Sequence, residues 1–120
     1  NKKIFVFDKN LENLNLLKKK FKNKTYIAKS FEEILNNKKI ENIILATHPS
    51  VNFNLGKKVL ENKKNLFVEK PIVSDIKKLR KLIKCADLNQ TYFMAAFSVL
   101  DTTFQPKTRS KYYRIFVCQT

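Results

Sequence analysis

Glycine is almost missing from this chain: one Gly, Gly56, stands among 120 residues. A Gly-rich loop that cradles phosphates needs several, because only glycine lets backbone N–H groups approach a pyrophosphate closely. Gly56 lies inside a helical pattern and cannot replace such a loop. Cysteine is equally scarce. Cys85 and Cys118 are the only two, too few and too far apart for a disulfide framework or a metal site. Both are expected to be reduced thiols in a cytoplasmic protein, with Cys85 facing the core. No apolar run reaches the roughly 18 residues of a membrane span. No charged start followed by an apolar stretch marks a signal peptide. The chain opens "NKKIFVFD", without Met and already close to a strand, which gives it the look of a piece cut from something longer.

Arginine is also rare. Arg80, Arg109 and Arg114 are the only three, and the rest of the positive charge behind a net +15 is Lys. Such a charge first suggests nucleic acid. Arg, however, is the usual bidentate reader of bases and phosphates, and the Lys residues are spread over every helix without forming one stripe. A solvated surface is favoured over a nucleic-acid site, and no membrane partner is expected. At 43% hydrophobic, the chain can bury the core of one small domain.

Apolar runs alternate with helical patterns along the sequence. "KKIFVFD" reads as a strand ending at Asp8. Asn10 can cap a helix to about Lys20, with Leu11, Leu14, Leu17 and Phe21 on one face. "TYIA" is a short strand. Ser30 and Glu33 in "SFEE" form a capping box for a helix that turns Phe31, Ile34 and Leu35 inward. "NIILAT" is a buried strand, and Pro49 suits the first turn of a helix from about Ser50 to Asn62. "NLFVE" is the next strand. Ser74 and Asp75 start a helix with Ile76, Leu79, Leu82, Ile83 and Ala86 at helical spacing. "TYFMAAF" is a further strand. Beyond residue 97 no clear period holds until the strand-like "YYRIFVC". Continuous apolar strands alternating with helices predict an α/β fold, a partial Rossmann-like doubly wound parallel sheet with helices on both faces. The expected division is a partial dinucleotide-binding domain over 1–97 and a divergent tail over 98–120.

Ligands of such sheets bind outside the carboxyl ends of the strands. Here those ends carry Asp8, Thr47-His48-Pro49 and Glu69-Lys70-Pro71. An acid at the end of the first visible strand can accept both ribose hydroxyls of an adenosine and repel a 2′-phosphate; equally, Asp8 can start a turn or cap the next helix. Thr47, His48 and Pro49 can line a dinucleotide crevice, or simply make a strand-to-helix turn. Lys70 stands at the end of a buried strand between Glu69 and Pro71. Its ammonium can hydrogen-bond a substrate hydroxyl or carbonyl and stabilise developing negative charge; the competing reading is a Glu–Lys pair at a turn.

The segment from "SFEEIL" through "ILATHPS" and "KKVLENKKNL" to "FVEKPI" resembles the cofactor domain of the Gfo/Idh/MocA oxidoreductases. That family's pattern is a strand ending in Ala-Thr-Pro, a helix, a Gly-Lys-His-Val-type turn and a strand running into Glu-Lys-Pro. The resemblance covers roughly residues 3 to 94. It implies a nicotinamide-dependent oxidoreductase acting on a sugar- or polyol-like alcohol. Lys70 is implied as the residue that contacts nicotinamide and substrate and assists proton movement at the reacting hydroxyl. Glu69 is implied as a cofactor neighbour, and Asp8 as the ribose-binding acid, favouring NAD over NADP. Thr47 and Pro49 line the crevice, with His48 and Pro71 beside them. Asn52 falls where the family often has His and can donate a hydrogen bond to the cofactor. A homo-oligomer is implied for the parent protein.

The departures from that pattern are specific. The family's first strand and Gly-rich loop would lie before residue 1, and that strand is the centre of the usual 3-2-1-4-5-6 order. The family's "VGH"-like segment aligns with Ala95, Ala96 and Phe97, so its His is replaced. The α/β substrate domain has no counterpart in the 120 residues. Three explanations follow. The favoured one is a gene fragment, truncated at its start and altered at its end by a frame change, with little or no activity alone. The second is a short binding or interaction protein that reuses half a Rossmann fold, with "YYRIFVC" filling the central gap. The third is a basic module binding nucleic acid.

Overall fold

The computed structural model describes residues 3–96 and 115–118. The expectation for residues 98–114 lies outside the described residues, as do Phe97, Arg109 and Arg114. The elements run β1 (Ile4–Phe7), α1 (Leu11–Phe21), a 3₁₀ turn (Lys22–Lys24), β2 (Thr25–Ile27), α2 (Phe31–Asn36), β3 (Asn42–Ala46), α3 (Pro49–Glu61), β4 (Asn65–Glu69), α4 (Ile76–Asn89), β5 (Phe93–Ala96) and β6 (Ile115–Cys118).

The helix starts follow from local chemistry. An orphan N–H of the first turn is satisfied by a side-chain acceptor at each one: Asn10 for α1, Ser30 for α2, His48 for α3 and Asp75 for α4. The capping box of α2 is displaced by one residue. Ser30 Oγ accepts from Glu33 N at 3.1 Å, but the Glu33 carboxylate reaches back to Lys29 N at 2.7 Å rather than to Ser30 N, and its other oxygen accepts from the Tyr26 hydroxyl at 3.0 Å.

All five strand pairings are parallel, and they make one six-stranded sheet in the order β2-β1-β6-β3-β4-β5. β6 occupies the centre. Phe7 is in register with Val117 on one side, and Ala46 with Cys118 on the other. The fold is thus α/β, and the position taken by strand 1 in the 3-2-1-4-5-6 order is filled from the other end of the sequence. The chain winds outward from β1 to β2 and, in the opposite direction, from β3 through β4 to β5. With right-handed crossovers this places α1 on one face and α2, α3 and α4 on the other. Lys58 of α3 lies 3.7 Å from Glu32 of α2, consistent with that shared face.

The core lies between the sheet and the three-helix face. Ile43 and Leu45 of β3, Leu66 and Val68 of β4, Phe31, Ile34 and Leu35 of α2, Val59 and Leu60 of α3, and Leu82 and Ala86 of α4 form one buried cluster. The alternate positions Ile44 and Phe67 are only half-buried, so the sheet is covered more completely on one face than continuous apolar runs imply. The helices show the same economy. Leu14 is buried in α1, but Leu11 is 73% exposed; Leu82 and Ala86 are buried in α4, but Ile76 is 62% exposed. Both exposed residues stand at the first helical position. Cys85 is half-buried and a free thiol, packed against the core cluster. No helix among the described residues is long and apolar enough to cross a membrane.

Lys64 was not anticipated. It is 5% exposed just before β4, and its ammonium donates to the carbonyls of Asn37 (2.8 Å) and Ile40 (2.6 Å), tying the α2–β3 connection to the next strand. Burial lowers its pKa from the ordinary 10.5, against a smaller raising effect of Glu41. Between the lowered folded value and 10.5 the unfolded chain binds more protons, so Lys64's contribution to stability rises with pH through that window. The stability of the native chain relative to Lys64→Met is expected to grow as pH rises from neutrality toward 10.5. Urea unfolding of both proteins across the alkaline range measures this; a constant difference contradicts it. Lys63, just before it, adopts φ 55°, the left-handed region that favours glycine. This is the turn where the family pattern carries Gly-Lys.

Candidate functional site

Parallel strands all point one way, so their carboxyl ends share one edge of the sheet. That edge carries Asp8 after β1, Thr47 after β3 and Lys70 after β4. At about 4.8 Å per strand, the ends of β1 and β3 stand roughly 10 Å apart across β6, with β4 one strand further on. The strand order reverses between β1 and β3, which is the crevice where doubly wound sheets take their ligands.

Asp8 is 4% exposed. One carboxylate oxygen accepts from Asn10 N at 2.8 Å and the other from Asn13 Nδ2 at 2.9 Å. The side chain therefore braces the start of α1, as the turn reading of the sequence has it. Each oxygen keeps acceptor capacity, since a carboxylate offers about four lone-pair sites. Asn13 escaped notice in the sequence. The available signal was its place five residues after an acid at a strand end.

β3 delivers Thr47 and His48 directly onto α3. His48 is exposed and its Nδ1 accepts from Ser50 N at 3.3 Å and lies 2.8 Å from Ser50 Oγ, so the ring closes the helix start. Pro49 is the first helical residue, where its missing N–H costs no hydrogen bond. Thr47's hydroxyl donates to Asn52 Oδ1. Asn52 is fully buried, and its Nδ2 donates to the carbonyls of Ile72 (2.8 Å) and Pro71 (3.3 Å). Asn52 thus faces the turn after β4.

Glu69 ends β4 opposite Ala96 and is exposed, as is Lys70. The Lys70–Pro71 peptide is cis. Thr47, Asn52 and the Lys70-Pro71 turn form one hydrogen-bonded group. Asp8 lies on the far side of the central strand, and His48 and Glu69 are on the rim. Among the described residues no group of three His, Cys, Asp or Glu is placed to hold a metal.

The family model described as an oxidoreductase family with an NAD-binding Rossmann fold matches residues 2–97. No curated protein sequence matches at a significant level. Among solved structures, an NAD-binding protein from Listeria innocua is 25% identical, with TM-score 0.72 over 77% of this chain and 26% of its own. An oxidoreductase from Bacillus cereus is 23% identical, with TM-score 0.69 over 76% of this chain and 26% of its own. The WlbA dehydrogenase from Bordetella pertussis, in complex with NADH and UDP-GlcNAcA, is 16% identical, with TM-score 0.69 over 79% of this chain and 27% of its own. The chain therefore spans about a quarter of the length of these relatives. A match over residues 2–97, the parallel sheet and the Glu69-Lys70-Pro71 strand end together place the chain in the Gfo/Idh/MocA oxidoreductase family, within its NAD-binding Rossmann domain.

Proposed function

We propose that the chain takes a nicotinamide dinucleotide, NAD in preference to NADP, across the carboxyl edge of its sheet. The observation that carries this reading is the placing of Asp8 and Lys70 on either side of the strand-order reversal, with Thr47 and Pro49 between them. Asp8 fits the adenosine ribose: its carboxylate is fixed by two donors and still has lone pairs for two hydroxyls. The same charge disfavours a 2′-phosphate. Thr47, His48 and Pro49 line the crevice, and Glu69 and Pro71 flank the nicotinamide end. When bound, the nicotinamide supplies hydride transfer to or from an alcohol carbon.

Lys70 is the proposed catalytic residue. Its ammonium polarises the substrate oxygen or relays a proton there. The parent reaction is oxidation or reduction of a sugar- or polyol-like alcohol, a reading supported by the UDP-GlcNAcA bound to the Bordetella relative. The 120 residues alone are proposed to turn over little, since their one glycine sits within α3 and no Gly-rich loop holds the pyrophosphate. A cytoplasmic setting accords with the free Cys85. A second reading, a non-catalytic binding domain, is favoured by β6, which joins β1 to β3 at the centre of the sheet.

Titration of NADH into the purified chain, followed by nicotinamide fluorescence with NADPH alongside, separates the two. Saturable binding that prefers NADH, weakened about tenfold or more in Lys70→Ala through loss of a charge-assisted contact, is the expected result. A chain shown folded by circular dichroism that binds neither dinucleotide overturns the proposal and leaves the second reading.

A further inference from the structure

Asn52 joins two strand-end segments that are far apart in sequence. It lies in the first part of α3, and its partners Pro71 and Ile72 stand 19 and 20 residues further on. An Asn side chain has two N–H donors and one oxygen with two lone pairs. Both donors are directed to the Pro71 and Ile72 carbonyls, and the oxygen takes the Thr47 hydroxyl. No donor remains for a dinucleotide, and the side chain is sealed from solvent at 0% exposure. Turning Asn52 toward a ligand would break the hydrogen bonds of a side chain that is itself fully buried, and a buried donor left unpaired costs more than an ordinary hydrogen bond is worth.

We infer that Asn52 is a positioning residue: it clamps the backbone that carries Lys70 against the Thr47 turn, and so sets where the Lys70 ammonium meets nicotinamide and substrate oxygen. Only the last clause rests on the proposed function. The clamp replaces the direct cofactor contact that the resemblance implies for this position. Its importance comes from geometry, since a misplacement of about 1 Å at a reacting group costs on the order of 100-fold in rate. A leucine at 52 fills similar volume but offers no donor; a histidine keeps one donor and one acceptor.

The test compares Asn52→Leu, Asn52→His, Lys70→Ala and, as a control for general destabilisation, Ile34→Ala in α2. Amide hydrogen exchange at Lys70, Ile72 and Val73 is read relative to global opening, together with the NADH dissociation constant. Asn52→Leu is expected to speed local exchange about tenfold and weaken NADH by a similar factor, and Asn52→His to restore both. Lys70→Ala, read for NADH binding alone, should weaken it. Ile34→Ala should lower global stability without a local excess at 70–73. Exchange in Asn52→Leu that merely tracks global opening, or a His variant that rescues nothing, overturns the inference. If the native chain binds no NADH, the dinucleotide reading fails on its own, and the exchange pattern still decides for or against the clamp.

Discussion

A chain ending at Arg114, just before β6, is expected to lose its cooperative fold. β6 is paired on both sides, so its removal deletes two ladders at once: Phe5 to Phe7 against 115–117, and Ile44 to Ala46 against 116–118. What remains is a two-stranded piece, β2-β1, and a three-stranded piece, β3-β4-β5, with no strand joining them. Each lost backbone hydrogen bond contributes about 0.5–1.5 kcal/mol, and its partner group on β1 or β3 is left facing the sheet's interior. Several such losses match the whole 5–15 kcal/mol by which a domain is stable. Urea titration followed by circular dichroism should show a broad, shallow transition in place of a sigmoid. A synthetic peptide of residues 111–120 added in trans should restore the sigmoid. A shortened chain with an unchanged urea midpoint would mean that β6 contributes nothing to the sheet.

Gly56→Leu is expected to destabilise the fold by about 3 kcal/mol, at the upper end of overpacking effects. The only glycine faces the core from within α3, and a Cβ built there meets Leu66 Cδ2 at 2.9 Å and Leu82 Cδ2 at 3.5 Å. Leu66 belongs to β4 and Leu82 to α4, and both are buried. At Gly56, therefore, α3 packs directly against both the strand and its neighbouring helix. Gly56→Ala is expected to fall within about 1 kcal/mol of the native chain. The helical gain of about 1 kcal/mol is offset by the displacement of one Leu66 methyl. Urea midpoints of the two variants measure this; a Leu variant as stable as the Ala variant would mean that α3 can move off the sheet freely.

The helix caps at Asn10, Ser30 and Asp75, the strand positions and the polar strand ends at Asp8, Thr47 and Lys70 could all be read from short stretches, because each depends on neighbours within a few residues. The parallel α/β class followed from alternation alone. Asn52 and Lys64 could not be placed in this way. Their backbone-carbonyl partners lie between 19 and 27 residues away, and a polar residue in a helix or before a strand reads as surface until a distant carbonyl is brought to it. Burial shows the same limit. The helical spacing of Leu11, Leu14, Leu17 and Phe21 marks an apolar stripe, yet only Leu14 is buried, since depth depends on where the helix axis crosses the sheet.

Sequence alone determined that strands and helices alternate, that the strands run parallel, and that Asp8, Thr47 and Lys70 end theirs on a common edge, because periodicity, capping and chain direction are local properties. Tertiary structure alone decided which strand lies beside which. An apolar run such as "RIFVC" announces that it will be buried but carries no label for its neighbours. Strands β1 and β3 each present an unpaired row of backbone groups toward the centre, and the strand that satisfies both comes from residues 115–118, because buried N–H and C=O groups must be paired from wherever in the chain a partner can reach them.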